Sequence, residues 1–112
     1  DILAIDDHDV ADALRYIRQN AHLPIGVDDV VRHVSLSRSG LKRRFRSVLG
    51  RSIHDEIIHA RIKRVREMLA ETDLPIATIA KQTGFRHREY MGVVFKAHLG
   101  QTPGQYRRQV RG

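Results

Sequence analysis

Apolar residues recur with helical spacing along almost the whole chain. Val10, Leu14, Ile17 and Ala21 fall at i, i+4, i+7 and i+11, one stripe of an amphipathic helix that Asp7 is placed to cap. Pro24 and Gly26 break that stripe. Val27, Val30, Val31 and Val34 mark a short second helix, and Ser35-Leu36-Ser37 reads as a turn. Ser37 can cap a third helix carrying Leu41, Phe45, Val48 and Leu49, which stops at Gly50. Ser52 and Asp55 resemble a capping box and open the longest helix, about 53–71, with Ile58, Ile62, Val65 and Leu69 on one face. Thr72-Asp73-Leu74-Pro75 ends it. A short helix over 76–82, a Thr83-Gly84-Phe85 turn and a helix near 88–99 ending at Gly100 come next. A last short helix has Thr102 as cap and Pro103 in its first turn. No period-2 run of strand length occurs. The expected fold class is all-α, with seven helices.

The pattern also repeats. Val27, Val30 and Val31 return as Ile76, Ile79 and Ala80 at an offset of 49. After the turn the offset is 50, pairing Leu41 with Met91, Phe45 with Phe95, Arg46 with Lys96, Leu49 with Leu99, Gly50 with Gly100 and Ser52 with Thr102. One extra residue near Arg86-His87 accounts for the slip. Each copy is a short helix, a tight turn and a longer helix, the arrangement of a helix-turn-helix whose second helix enters the DNA major groove. A connecting helix of about 19 residues would span roughly 28 Å. Successive major grooves on one face of a duplex lie roughly 34 Å apart, so a single chain could read two of them.

Composition narrows the field. The chain has 112 residues, 41% of them hydrophobic: enough for a core, too few for a large catalytic α/β scaffold. There is no cysteine, which removes disulfides, thiolate zinc sites and thiol nucleophiles and suits a reducing cytoplasm. No apolar run approaches the roughly 18 residues of a membrane span. The net charge is +7, and it is unevenly placed. Residues 1–36 carry seven acids and three bases, residues 37–71 ten bases and four acids, and residues 72–112 seven bases and two acids. Positive charge begins abruptly at Arg38 and persists, as a polyanion-binding face would require.

The second copy runs Ile79-Ala80, Gly84-Phe85, Tyr90, Phe95-Lys96, Gly100, Thr102-Pro103 and Tyr106-Arg107, and the first adds Ser37-Arg38-Ser39, Leu41, Arg43, Phe45 and Leu49-Gly50. This series resembles the signature of the AraC/XylS family of bacterial transcription activators over about residues 8–108. Ser-Arg-Ser-x-Leu-x-x-Arg-Phe with Ile53-His54 is similar to the xylose-responsive branch. The resemblance implies two helix-turn-helix units, about 8–51 and 75–108, joined by a linker helix at about 53–71. It further implies binding to double-stranded promoter DNA, contact with RNA polymerase, and a separate effector-sensing or dimerising domain. Residues 1–7 are then expected to be the stub of a linker to that domain, with homodimerisation lying outside this chain.

Candidate contacts follow from the helical period and from the resemblance together. With Leu41 and Phe45 turned to the core, Ser39, Lys42, Arg43 and Arg46 face outward. Family members turn the positions matching Ser39, Lys42 and Arg43 into the groove. There Arg or Lys can bond guanine O6 and N7; the plainer reading is a set of solvated charges or phosphate anchors. Arg38, Arg44 and Arg46 are assigned to phosphates. The matching positions of the second unit are Glu89, Gly92 and Val93, with Arg88 beside them, and Arg86, His87 and Lys96 as phosphate contacts. Here the sequence departs from the family pattern, in which a polar or basic residue is usual where Val93 stands. Glu89 suits cytosine N4 as an acceptor, or the dipole of its own first helical turn. Val93 suits a thymine methyl. Gly92, which costs a helix interior about 1 kcal/mol, allows either close approach to DNA or an incidental packing need. The second unit should therefore choose bases less sharply than the first.

Other chemistry finds little support. His54 and His59 are five apart and point from different faces of the central helix, while His8, His22, His33 and His98 are scattered, so no metal site is expected. Ser37, Ser39 and Ser52 have no base and orienting partner at a readable spacing. Neither enzymatic activity nor a cofactor is expected. The competing readings are a non-specific or architectural DNA-binding protein and a helical protein-interaction bundle.

Overall fold

Side-chain caps set most helix boundaries. Asp7 accepts the Val10 N–H at 3.1 Å and starts α1 (His8–Asn20). Helix α2 (Val27–His33) opens at Gly26, whose N–H donates to the Asp29 carboxylate at 2.7 Å. The Ser37 hydroxyl accepts from Gly40 at 3.1 Å and starts α3 (Arg38–Leu49). Ser52 and Asp55 bond each other's N–H groups ahead of α4 (Ile53–Glu71), as a capping box should. Helix α5 (Ile76–Gln82) follows Pro75, and α6 (Arg88–Leu99) begins after His87. Thr102 and Gln105 form a second reciprocal box at the start of α7 (Pro103–Arg111), with Pro103 at its first position. This computed structural model describes residues 2–112, with side chains at all of these but position 3. Among the described residues there are seven α-helices and no strand, so the fold is all-α as the pattern predicts. Val34, expected on the stripe of α2, lies just beyond it in extended backbone and still packs against the core. The expected linker stub, 1–7, includes position 1, which lies outside the described residues. Of the rest, Ile2–Ala4 form a 3-10 turn and Ile5 packs against the first core.

The chain divides within α4 into two compact units, one of residues up to Ala21 with Ile25–Ala60, the other of His22–Pro24 with Arg61–Gly112. In the first, α1, α2, α3 and the start of α4 surround Val10, Ala13, Ile17, Val30, Leu41, Phe45, Ile53 and Ile57. In the second, Val65, Leu69, Ile79, Ala80, Phe85, Met91 and Phe95 are buried. There Phe95 meets Tyr106 edge-on at 5.5 Å and Phe85 meets Tyr90 at 5.8 Å.

The internal repeat is structural. Helices α2 and α5 have seven residues each, α3 and α6 twelve each. Both twelve-residue helices end on a left-handed glycine, Gly50 and Gly100, each at φ 75° and each donating its N–H back one turn at 2.8 Å. A side chain is disfavoured in that conformation, which is why glycine stops both helices. The connecting turns differ: 34–37 in the first unit, 83–87 in the second. The extra residue is absorbed at Arg86, whose φ is 75°, with the His87 N–H donating to the Phe85 carbonyl across it at 2.9 Å. Holding a non-glycine residue there costs roughly 1–2 kcal/mol.

Three carboxylates at helix starts link stability to pH. Burial acts to raise the Asp7 pKa, but the Val10 N–H and the bond and charge of Arg44 outweigh it, and the net shift is downward. The Gly26 N–H lowers Asp29, against a smaller effect of burial and with help from Arg32. The Ser52 hydroxyl and N–H lower Asp55. A carboxyl whose native pKa lies below its unfolded value stabilises fully above the unfolded value, near 3.9, and loses that contribution as pH falls through the native one. Unfolding measured against pH should therefore show an acid-side loss below about pH 4. Asp7→Ala should lower stability by about 1 kcal/mol at neutral pH and flatten that acid slope. Parallel acid profiles for the two proteins would count against this account.

Candidate nucleic-acid interface

The α3 helix presents two faces with little overlap. Leu41 and Phe45 are fully buried, which fixes the helix's rotation, and Ser39, Lys42, Arg43 and Arg46 are exposed in one stripe on the opposite side. Among the described residues no hydrogen bond or ion pair engages the side chains of Ser39, Lys42 or Arg43. Two long cations that spend nothing on internal partners suit a polyanion. Arg46 lies near Asp55, close enough for its charge to help lower that carboxyl's pKa.

Fifty residues on, α6 repeats this rotation. Met91 and Phe95 are fully buried, and Glu89, Val93 and Lys96 are exposed on the opposite face with Gly92, half-buried, among them. Arg88 is exposed beside Glu89, their charged groups 3.7 Å apart. His87 occupies the N-cap position but makes no side-chain capping bond, leaving its imidazole exposed next to Arg86. The two stripes, 39/42/43/46 and 89/92/93/96, are thus equivalent in register and opposite in chemistry. The first is cationic and reaching; the second is short, mixed and partly apolar.

The structure adds partners that spacing along the chain does not show. Arg38 forms an ion pair with Asp28 of α2, ten residues back across the turn. Arg44 faces the start of α1, donating to Asp7 at 2.8 Å with Asp9 at 3.7 Å. The acidic N-terminal segment therefore engages two of the six basic residues assigned to phosphates. Elsewhere, the buried Glu56 holds Arg51 at 2.6 Å. The buried Arg61 donates to the Leu23 carbonyl at 2.9 Å, and burial lowers its pKa from the usual arginine value. Arg107 binds the carbonyls of Leu69, Thr72 and Leu74. These supports were not singled out from the sequence, because each joins residues distant in the chain or hides a charge among apolar neighbours. Among the described residues no three metal-ligating side chains converge, and no helix is long and apolar enough to cross a membrane.

A family model, Helix-turn-helix domain, matches residues 30–109, which take in both turns and both exposed helices. The chain belongs to the AraC-type helix-turn-helix family. It is 36% identical over 107 residues to the xylose operon regulatory protein of Escherichia coli (strain K12), covering 96% of this chain and 27% of that protein. The fold superposes on the structure of xylose-binding transcription activator xylR with a TM-score of 0.82 at 35% identity, over 95% of this chain and 28% of that one. On the DNA-binding domain of AdpA, a global transcriptional factor solved in complex with a target DNA, the TM-score is 0.88 at 25% identity, covering 94% and 95%. This AraC-type domain thus spans about a quarter of the length of the xylose operon protein. Its likeness is to operon regulators, and the architectural reading falls away.

Proposed function

We propose that this chain is the operator-reading part of a bacterial transcription activator, with α3 and α6 each entering a major groove. The observation that carries this reading is the unpaired stripe of Ser39, Lys42 and Arg43 over the fully buried Leu41 and Phe45. In it, α3 reads bases through those three residues, and α6 adds Arg88, Glu89, Gly92 and Val93. Arg38, Arg46, Arg86, His87 and Lys96 grip phosphates. Arg44, grouped with these from the sequence, instead spends its charge on Asp7 and Asp9 and holds α1 against α3. Residues 8–108 form the DNA-binding domain, and the xylose operon relative supports a sugar effector sensed elsewhere in a longer protein. Homodimerisation would lie there too. Contact with RNA polymerase at the promoter, in the cytoplasm, completes the assignment; catalysis and cofactors have no part in it.

Selection of binding sites from random duplexes tests the roles. Arg43→Ala should cost about 1–3 kcal/mol and relax preference at one base pair, whereas Arg46→Ala should weaken all sequences alike. The wild-type site should be asymmetric, well defined where it faces α3 and degenerate where it faces α6. Equal loss of specificity from both variants would show the roles misassigned.

A further inference from the structure

Gly92 stands in the middle of α6, where a glycine weakens a helix by about 1 kcal/mol relative to alanine. The protein's own packing gives no reason for it. A Cβ built at Gly92 meets nothing within 4 Å, and the position is not among those with positive φ. The equivalent position of the first unit carries Lys42, so this helix-turn-helix accommodates a long side chain there. The incidental packing need is therefore removed. Next to it Val93 is 69% exposed, the most exposed large hydrophobic residue among those described, at the position equivalent to Arg43. Valine there is β-branched in a helix and solvated in the free protein, which makes it a second unfavourable choice beside the first. Both substitutions fall at reading positions, and both replace a long cation by something short and apolar.

We infer that Gly92 and Val93 together form a methyl-reading notch that seats the C5-methyl of a thymine in the half-site facing α6. The missing side chain at position 92 lets the helix backbone come close to the base edge. The Val93 methyls then meet the thymine methyl, the one apolar group that a base pair displays in the major groove. This inference rests on the reading of α6 as DNA-facing and specifies what it recognises.

The test uses this chain and its selected duplex, with each thymine of the α6-facing half replaced in turn by deoxyuridine, which removes only the methyl. Affinity should fall about three- to fivefold at one position, the value of one buried methyl. The same replacement should be neutral for Val93→Ala. Gly92→Ala should melt a few degrees higher than the wild type yet bind about tenfold more weakly. Neutral replacements throughout, an undiminished penalty in Val93→Ala, or unchanged binding by Gly92→Ala would each overturn the notch while leaving α6 on the DNA. Absence of any protected base pair facing α6 would instead remove the DNA-facing reading and the notch with it.

Discussion

Raising the salt concentration from about 50 to about 200 mM should weaken duplex binding on the order of a thousandfold. The expectation comes from counting the exposed cations that the proposed interface brings to the duplex: Arg46, Arg86 and Lys96 on phosphates, Lys42, Arg43 and Arg88 at the bases close beside them, and Arg38 in exchange for its bond to Asp28. Each phosphate neutralised releases condensed counterions, and the logarithm of affinity falls with the logarithm of salt by about 0.9 per contact. About six contacts give a slope near −5. Arg44 is left out of this count because Asp7 and Asp9 already hold it. Arg46→Ala should lower the slope by about one, and Arg44→Ala should leave it nearly unchanged. Affinity titrated against salt for the three proteins measures this directly. A flat wild-type response would mean that the basic surface does not face the duplex. An equal drop in slope for both variants would put Arg44 on a phosphate.

Arg107→Ala should be among the most destabilising single substitutions in the second unit, at roughly 3 kcal/mol. The last carbonyls of a helix have no partner within it and need donors from elsewhere. Arg107 supplies one from α7 and binds the turn that follows, with Nε donating to Leu69 of α4 at 3.1 Å, Nη2 to Thr72 at 3.0 Å and Nη1 to Leu74 at 2.8 Å. Hydrogen bonds from a charged donor are each worth about 1.5–3 kcal/mol, less than additively at a partly exposed site. Arg111 adds a bond to the Thr72 carbonyl and an ion pair with Asp73 at 2.6 Å, which would rescue part of the loss. Lysine cannot replace this arrangement, since one ammonium does not span three carbonyls as a planar fork does. Thermal melts should show Arg107→Ala and Arg107→Lys both lowered by on the order of 10 °C. Full stability in the lysine variant would show that charge alone suffices.

The reach of the sequence follows from what each interaction depends on. Helix positions were legible because caps and apolar stripes are local: Asp7, Ser37, Ser52 with Asp55, and Thr102 are within three residues of the N–H groups they bind. The paired outward stripes were legible for the same reason, since a buried Leu41–Phe45 or Met91–Phe95 pair fixes which neighbours face away from the core. The 49-to-50 slip in the repeat likewise announced an extra turn residue. Only the folded chain showed that Arg86 takes it up in left-handed backbone, because the choice depends on how the Phe85 and His87 backbones close the turn.

Partners that meet only in the folded chain were beyond the sequence. From the sequence Arg44 reads as one more phosphate cation beside Arg38 and Arg46. Asp7, 37 residues earlier, claims it through the packing of α1 against α3. Arg107 and the end of α4 are joined across 33 to 38 residues. Burial of Arg61 and Glu56 could not be read from residue type either, since charged side chains are normally exposed unless a partner is positioned for them. Gly92 shows the division most clearly. The sequence revealed a costly glycine on the outward stripe of α6 and left two explanations standing. The empty space around its absent Cβ, a property of tertiary packing alone, removed the one that looked inward.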